Sequence, residues 1–436
     1  MRFLPCLLLF GYLVADGLAI WKLNTTKVND IGTYLPIPSY DPWYTAPEGW
    51  KAAEPGAILR MRQHAYNMTT LPIANAVDTF QVLFRSTDSH QNATWAVTTV
   101  FVPAQRCNST GADTGNCTLG ILSYQLPYDT SCPDASPSFG LQFGEPYGEM
   151  AVALKRGWWV SVPDYEGPLG SYGANIVGGY ITVDATRAVV EAARRLGFND
   201  TRVALWGYSN GASATEVAVE FAAKYAPELK IAGAAIGGLT SKSTNAGPLL
   251  TRTQVSGLLV HGIIGITSQY PELREYVVSR MKPSGPYNQT EFFWARYMSG
   301  WQSLLYFSYV DIFEYFVGGE ADLETPEMFN MFIREGTLGV FGMPNMPLFL
   351  YHAVQDDMTP VVDTDELVTK YCDQGANILF HRNSKGGHND ELTNGRQRAF
   401  DFLGDILDGS NVISFPSTGC RTVNLTFEQD PRQPFV

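Results

Sequence analysis

The sequence lacks several features that mark other classes of protein. It contains no low-complexity tract and no repeat with a period of about 20 to 50 residues, which excludes solenoid and propeller arrays. Basic residues are scarce, with 30 Lys and Arg against 43 Asp and Glu and a formal net charge of -13. Because nucleic-acid phosphates are bound by clustered Lys and Arg, this balance disfavours a nucleic-acid partner. No clustered pattern of metal ligands occurs, so no metal or cofactor is implied.

Long apolar runs are missing after the N-terminus. The short run Phe3–Val14 follows Arg2 and precedes small residues such as Ala15 and Ala19, which is typical of a signal peptide over residues 1–19. A membrane-spanning helix needs about 20 apolar residues, and no later stretch reaches that length. We therefore expect a soluble protein that is secreted to the extracellular space.

Two residue patterns agree with export. Eight Asn-X-Ser/Thr acceptors predict N-glycosylation, at Asn24, Asn67, Asn92, Asn108, Asn116, Asn199, Asn288 and Asn424. Five cysteines follow the signal peptide, namely Cys107, Cys117, Cys132, Cys372 and Cys420. In an oxidising compartment they are expected to pair and leave one odd thiol. Cys107 and Cys117 are positioned to close a loop, and Cys372 and Cys420 to staple the C-terminal part, but spacing alone leaves the pairing open.

Strands and helices alternate along most of the chain, which indicates parallel βαβ units. The predicted strands of this pattern are Leu119–Tyr124, Trp158–Pro163, Arg202–Gly207, Ile231–Ile236, Leu348–Ala353 and Asn377–Arg382. The predicted helices between them are Tyr180–Leu196, Ala212–Tyr225 and Asp363–Gln374. The alternation breaks over residues 245–345, which are rich in aromatics, Met and Pro and include the predicted helical piece Glu291–Phe307. We expect a core of residues 20–244 and 346–436, with 245–345 inserted as a helical cap or lid.

One pentapeptide carries the signature of a nucleophile. Gly207 to Gly211 has the form G-x-S-x-G, directly follows a predicted strand and opens an amphipathic helix. This strand–turn–helix context is the one in which α/β-hydrolases present a catalytic serine, so Ser209 is the predicted nucleophile. The first oxyanion donor is then the backbone N–H of Asn210, and a second is expected somewhere in the loop Ser123–Asp129, after an early strand.

A serine hydroxyl needs an adjacent base, and in this fold the order along the chain is Ser, then an acid, then His. His388 follows Gly386 and Gly387 after the last predicted strand and is the favoured base; His381, within that strand, is the competitor. The acid is expected in the loop after Leu348–Ala353. The spacing D-x-x-x-P selects Asp356, and its neighbour Asp357 stays open.

With these residues in place, the chain resembles the fungal secretory lipases, the family that includes lipase A of Candida-type yeasts. The resemblance runs from about residue 40 to the C-terminus and rests on four motifs: SYQ…D ending at Asp129, PDYEGP at 163–168, GYSNG, and DDMTP before GGH. It implies an α/β-hydrolase fold, with a mostly parallel central sheet, helices on both faces and an inserted helical cap. It also implies a triad of Ser209, Asp356 and His388.

The resemblance implies two further assignments and shows two departures. It gives the second oxyanion amide to Asp129 and pairs Cys372 with Cys420. Family members often carry Gly after the nucleophile, where this chain has Asn210. Cys132 matches a family cysteine, but no cysteine occurs near residue 260, and Cys107 and Cys117 are additions.

These observations predict a lipid-degrading serine ester hydrolase that works through an acyl-enzyme and favours acylglycerols. The alternative is a carboxylesterase that removes acetyl groups from small secondary metabolites, as trichothecene esterases do. A non-catalytic adhesion module is less favoured, because the Ser–Asp–His set is complete and in order. We expect a monomer that takes an ester substrate, can act at a lipid interface without spanning a membrane, and needs no cofactor.

Overall fold

The computed structural model describes residues 35–63, 76–104, 118–143, 148–413, 415–416, 418–430 and 435. The predicted signal peptide, the pair Cys107 and Cys117, and the sequons at Asn24, Asn67, Asn108 and Asn116 lie outside the described residues. None of the helices within these ranges combines the length and apolar character needed to cross a membrane.

Ten strands form one sheet in the described part of the chain. They are β1 (Ile58–Gln63), β2 (Ala76–Thr87), β3 (Ala93–Pro103), β4 (Leu119–Gln125), β5 (Trp159–Pro163), β6 (Thr201–Tyr208), β7 (Ile231–Gly237), β8 (Leu348–Ala353), β9 (Ile378–Asn383) and β10 (Cys420–Leu425). Their spatial order is β1-β2-β3-β5-β4-β6-β7-β8-β9-β10. The pairs from β1 to β5 are antiparallel, and every neighbour pair from β5 to β10 is parallel.

Helices connect the parallel strands and build the insertion. They are α1 (Pro137–Gly140), α2 (Gly148–Lys155), α3 (Asn175–Arg195), α4 (Asn210–Tyr225), α5 (Ser243–Leu250), α6 (Ser256–Thr267), α7 (Pro271–Arg280), α8 (Gln289–Phe292), α9 (Gly300–Tyr306), α10 (Pro326–Gly336), α11 (Val361–Asp373) and α12 (His388–Asp408). Short 3-10 turns occur at Pro38–Tyr40, Pro42–Tyr44, Trp50–Ala52, Pro133–Ala135, Phe293–Tyr297, Ile312–Tyr315 and Gly319–Asp322.

The central strands are buried on both faces, because side chains alternate along a strand and helices cover each side. Leu205 on β6 packs into a core with α3 and α4, whereas its neighbour Trp206 packs into a second core with α2 and α12. On β8, Leu350 packs into the first of these cores and Tyr351 into the second. The parallel order carries the ends of β6, β8 and β9 to one edge of the sheet.

The insertion between β7 and β8 has an apolar core of its own, which includes Phe292, Phe307 and Tyr315. The predicted helical piece Glu291–Phe307 is not one helix: the structure divides it into α8, a 3-10 turn and α9. The Ser299 side chain accepts the N–H of Gln302 and caps α9, so a new helix begins there. The cap limits 245–345 stay a prediction.

A disulfide joins Cys372 at the end of α11 to Cys420 at the start of β10, with 5.8 Å between the two Cα atoms. The disulfide links the edge strand β10 to the core. This strand was not among those predicted from the sequence. Among the described sequons, Asn92, Asn199 and Asn424 are exposed. The side chain of Asn288 instead caps α8 by accepting the N–H of Glu291 at 3.1 Å.

Candidate active site

Ser209 lies in the sharp turn between β6 and α4. Its backbone has a φ of 56° and a ψ of -124°, which is strained for a residue with a side chain. A Cβ on Gly207 would lie 2.1 Å from the carbonyl oxygen of Gly211, and one on Gly211 would lie 2.0 Å from the carbonyl oxygen of Gln125. Both positions therefore require glycine, which explains the G-x-S-x-G spacing in this chain.

Ser209, His388 and Asp356 form one chain of hydrogen bonds. The Nε2 atom of His388 is 2.9 Å from the hydroxyl of Ser209, and its Nδ1 atom is 2.7 Å from Oδ2 of Asp356. His388 is the first residue of α12, and Asp356 follows β8. The three side chains therefore come from loops at the carboxyl edge of three parallel strands.

The two neighbouring aspartates have different places. Asp356 is fully buried through its side chain and contacts the imidazole, whereas Asp357 is exposed and accepts the backbone N–H of His388 at 3.2 Å. Oδ1 of Asp356 accepts the N–H groups of Met358 and Thr359, at 2.9 and 2.7 Å. These two backbone bonds fix the orientation of the carboxylate toward His388.

A second histidine supports this carboxylate. Nε2 of His352 is 3.2 Å from Oδ2 of Asp356 and 2.9 Å from the carbonyl oxygen of Thr359, so it faces two acceptors and carries the proton. Burial opposes ionisation of Asp356, but the hydrogen bonds from His352 and His388 outweigh it. They hold the pKa of Asp356 well below its ordinary value. His352 lies within β8, and no sequence motif marks it as a partner of Asp356.

The competing His381 does not reach the site. It lies within β9, where its ring packs edge-on against Phe349 with 5.0 Å between the ring centres. Burial, and then the charges of Arg398 and Arg421, lower the pKa of His381 to about 4.

The loop after β4 carries Asp129, the residue expected to give the second oxyanion amide. Asp129 has a φ of 46°, a left-handed conformation that a non-glycine residue seldom adopts. Asn210 is the first residue of α4, so its N–H belongs to the helix-terminal donors that have no partner within the helix. Burial raises the pKa of Asp129 to about 7, against the opposing charge of His388.

The PDYEGP motif forms hydrogen bonds with the loop that carries Asp129. The hydroxyl of Tyr165 donates to the carbonyl oxygen of Leu126 at 2.6 Å, and the N–H of Glu166 donates to the hydroxyl of Tyr128 at 2.7 Å. The cap also contacts this loop, because the Thr130 hydroxyl donates to the carbonyl oxygen of Met298 at 2.7 Å. Motif and cap together fix the segment that carries Asp129.

With this geometry established, comparisons with known proteins identify the family. A family model described as secretory lipase matches residues 144–414, which is more than half of the chain. The chain belongs to the secretory lipase family. It is 41% identical over 395 residues to a trichothecene C-3 esterase of Fusarium sporotrichioides, covering 89% of this chain and 88% of that one.

Lipases are found at similar coverage. Lipase A of Arthroderma benhamiae is 33% identical over 419 residues, covering 91% of this chain and 85% of the relative. The solved structure of Candida antarctica lipase A superposes with a TM-score of 0.78 at 25% identity, covering 90% of this chain and 91% of that one. The predicted family and α/β-hydrolase fold are confirmed. This secretory lipase is a carboxylic ester hydrolase that acts on ester substrates.

A cavity of about 230 Å³ begins at Ser209 and runs between the core and the cap of the secretory lipase. Most of its wall is apolar and comes from the cap, including Leu258, Ile263 and Phe332. Asn175 and Asn210 also line it and are the first residues of α3 and α4. The first turns of these two helices lie side by side, because a Cβ on Gly178 would lie 3.5 Å from that of Ala214. No group of His, Cys, Asp and Glu side chains suited to a metal ion occurs among the described residues.

One more histidine, not predicted from the sequence, contacts the loop that carries Asp129. His261, on α6 of the cap, accepts the backbone N–H of Ser131 through Nδ1 at 3.0 Å. Burial lowers the pKa of His261 to about 3, which keeps this nitrogen free to accept. One sign of this contact is visible in the sequence. Cys132 matches a family cysteine, but near residue 260 this chain has a histidine, His261, and no cysteine.

Proposed function

We propose that Ser209, His388 and Asp356 are the catalytic triad of this secretory lipase, with Ser209 as nucleophile. The observation that carries the proposal is the unbroken chain of contacts, 2.9 Å from His388 to the Ser209 hydroxyl and 2.7 Å from His388 to Asp356. These distances lie within the reach required for a nucleophile, its base and the group that orients the base.

In the acylation step, Ser209 attacks the ester carbonyl while Nε2 of His388 takes the hydroxyl proton. Asp356 holds the proton on Nδ1 and stabilises the imidazolium that forms. The negative charge develops on the carbonyl oxygen, and the backbone N–H groups of Asn210 and Asp129 are the proposed donors to it. His388 then protonates the leaving alkoxide, which departs as an alcohol.

In the deacylation step, a water molecule takes the place of the alcohol. His388 removes its proton, hydroxide adds to the acyl carbon, and the same two N–H groups stabilise the second oxyanion. The intermediate collapses, the Ser209 oxygen leaves and recovers a proton from His388, and the carboxylic acid is released. One chain supplies every group in this cycle, so a monomer suffices.

Acylglycerols are the proposed substrate class, because the cavity wall is mostly apolar and the lipases of Arthroderma and Candida are relatives. Acetyl esters of small oxygenated metabolites are the second candidate. The 41% identity to a trichothecene C-3 esterase over most of both chains favours it. The proposed site of action is extracellular, in line with the family description and the predicted signal peptide and sequons.

The test is hydrolysis of p-nitrophenyl esters from acetate to palmitate by the wild type and Ser209→Ala. We expect the substitution to abolish turnover at every chain length while the thermal unfolding temperature stays near that of the wild type. A maximum at medium or long chains supports the lipase, and a sharp acetate preference supports the second candidate. Undiminished turnover by Ser209→Ala would refute the proposed nucleophile.

A further inference from the structure

The side chain of Asn210 is anchored next to the nucleophile. Its Nδ2 atom is 3.2 Å from the hydroxyl oxygen of Tyr165 and 3.2 Å from Oε1 of Glu166. A carboxamide nitrogen has two hydrogens, so these two contacts use both. Glu166 is only 2% exposed, and both anchors belong to the PDYEGP segment beneath the oxyanion loop.

These anchors also decide which way the amide points. The hydroxyl of Tyr165 gives its single proton to the carbonyl oxygen of Leu126 at 2.6 Å, so its oxygen can only accept from Asn210. A reversed amide would set Oδ1 against an oxygen that has no proton to offer. Nδ2 therefore faces the anchors and Oδ1 points away from them, and Asn210 lines the cavity.

The Oδ1 atom of Asn210 has no hydrogen-bond donor among the residues that the structure describes, and the amide of Asn175 in the same cavity likewise has no partner there. Two serine hydroxyls of the wall are already engaged. Ser213 donates to the carbonyl oxygen of Thr240 at 3.3 Å, and Ser243 to that of Phe332 at 3.4 Å. Asn210 and Asn175 are the carboxamides of this lining, and both are open to a ligand.

We infer that Asn210 and Asn175 form a polar subsite that binds a free hydroxyl group of the substrate close to the scissile ester. The inference rests on the proposed nucleophile. Oδ1 of Asn210 accepts a hydrogen bond from the substrate O–H, and the amide of Asn175 can donate to its oxygen or accept from it. An ester without the hydroxyl leaves the oriented acceptor unpaired in a mostly apolar cavity, which disfavours it.

Two sources share this chemistry: partial acylglycerols, and acyl esters of hydroxylated small alcohols. The experiment therefore uses two matched pairs of esters. One pair is trans-2-hydroxycyclohexyl acetate and cyclohexyl acetate, and the other is 1-monooctanoylglycerol and propyl octanoate. For the wild type, we expect kcat/KM to favour the hydroxylated member by about 3- to 10-fold per hydrogen bond made. The pair with the larger ratio identifies the source.

The variants Asn210→Ala and Asn175→Ala remove the amides one at a time and keep every backbone N–H. Each is expected to bring the ratio toward one by slowing hydrolysis of the hydroxylated ester. Asn210→Gly serves as a second variant if the alanine variant unfolds. Asn245→Ala is the matched control, because the Asn245 amide is occupied by Asp363 at 2.9 and 3.0 Å, and its ratio should equal that of the wild type.

A wild-type ratio near one for both pairs would overturn the inference, as would an unchanged ratio in Asn210→Ala or Asn210→Gly. Failure of the proposed nucleophile is seen separately, because Ser209→Ala then still hydrolyses all four esters. The ratio compares two substrates of one enzyme preparation, so a general loss of stability lowers both rates and leaves it unmoved.

Discussion

Backbone hydrogen bonds fix the orientation of the Asp356 carboxylate. The orientation of a carboxamide in its place can therefore be predicted. Oδ1 of Asp356 accepts two backbone N–H groups, from Met358 at 2.9 Å and Thr359 at 2.7 Å. In Asp356→Asn, only the carboxamide oxygen can occupy that position. The NH2 group then takes the place of Oδ2 and faces Nδ1 of His388, which lies 2.7 Å away. The N–H of His352 loses Oδ2 as an acceptor and keeps the carbonyl oxygen of Thr359 at 2.9 Å.

This orientation is expected to remove the proposed catalytic base, His388. A donor facing Nδ1 makes that nitrogen an acceptor, so the ring proton moves to Nε2 and points at the Ser209 hydroxyl, 2.9 Å away. Nε2 can then no longer take the proton of Ser209. The equivalent change in a serine protease triad lowers kcat by about 10⁴-fold, or roughly 5.5 kcal/mol of barrier, and we expect a loss of that order here.

The assay is kcat for p-nitrophenyl butyrate, with thermal unfolding as the check on the fold. Asp357→Asn is the matched control. Asp357 is exposed and only accepts the backbone N–H of His388, which an asparagine oxygen also does, so its loss should stay below about 10-fold. If Asp357→Asn lost activity by about 10⁴-fold while Asp356→Asn did not, the triad drawn here would be wrong.

Three further outcomes are expected. Burial raises the pKa of the Asp129 carboxyl to about 7, so kcat/KM of the wild type should decline above pH 7 as this carboxyl ionises beside the oxyanion. Asp129→Asn, which is tolerated at a φ of 46°, should keep its kcat/KM there. Parallel pH profiles of the two proteins would contradict this. Burial, and then the charge of Glu220, raise the pKa of Glu216 to about 8. The neutral carboxyl therefore contributes stability that is fully present below the unfolded pKa of about 4.3 and is lost as the pH rises through 8. Glu216→Gln should therefore unfold at a higher temperature than the wild type at pH 8 but not at pH 4, and an equal gap at both pH values would contradict it. Replacing Cys372 and Cys420 together by Ser opens a link across 48 residues and should lower the free energy of unfolding by up to about 4 kcal/mol, measured in urea against the intact protein.

The parts of this site that could be predicted from sequence are those encoded in adjacent residues. Gly207, Ser209 and Gly211 can be recognised because one tight turn imposes all three, and the strand and helix on either side are visible as apolar patterns. The order along the chain then selects His388, since each strand of a parallel sheet delivers one loop to the same edge. The alternation of strands and helices predicted the fold for the same reason.

What could not be predicted depends on the direction of single side chains. Asp356 and Asp357 are neighbours of one type, and only the turn closed by Met358 and Thr359 directs one of them at the imidazole. His352 looks like any strand residue until its ring is seen against Asp356. The break before α9 escaped notice because apolar residues continue through it, while a Ser299 cap decides where the helix begins.

The cap contacts the loop that carries Asp129 as well as lining the cavity. His261 and Met298 of the cap bind the backbone and side chain of the loop that carries Asp129, and a Cβ on Gly300 would lie 2.9 Å from the Asp129 carbonyl oxygen. This loop holds a non-glycine residue at positive φ, a conformation that persists only where the surroundings fix it. A displacement of the cap would therefore release one of the two proposed oxyanion donors. We therefore expect a displaced cap to weaken the proposed oxyanion hole, and substitutions in this contact to lower kcat more than they raise KM.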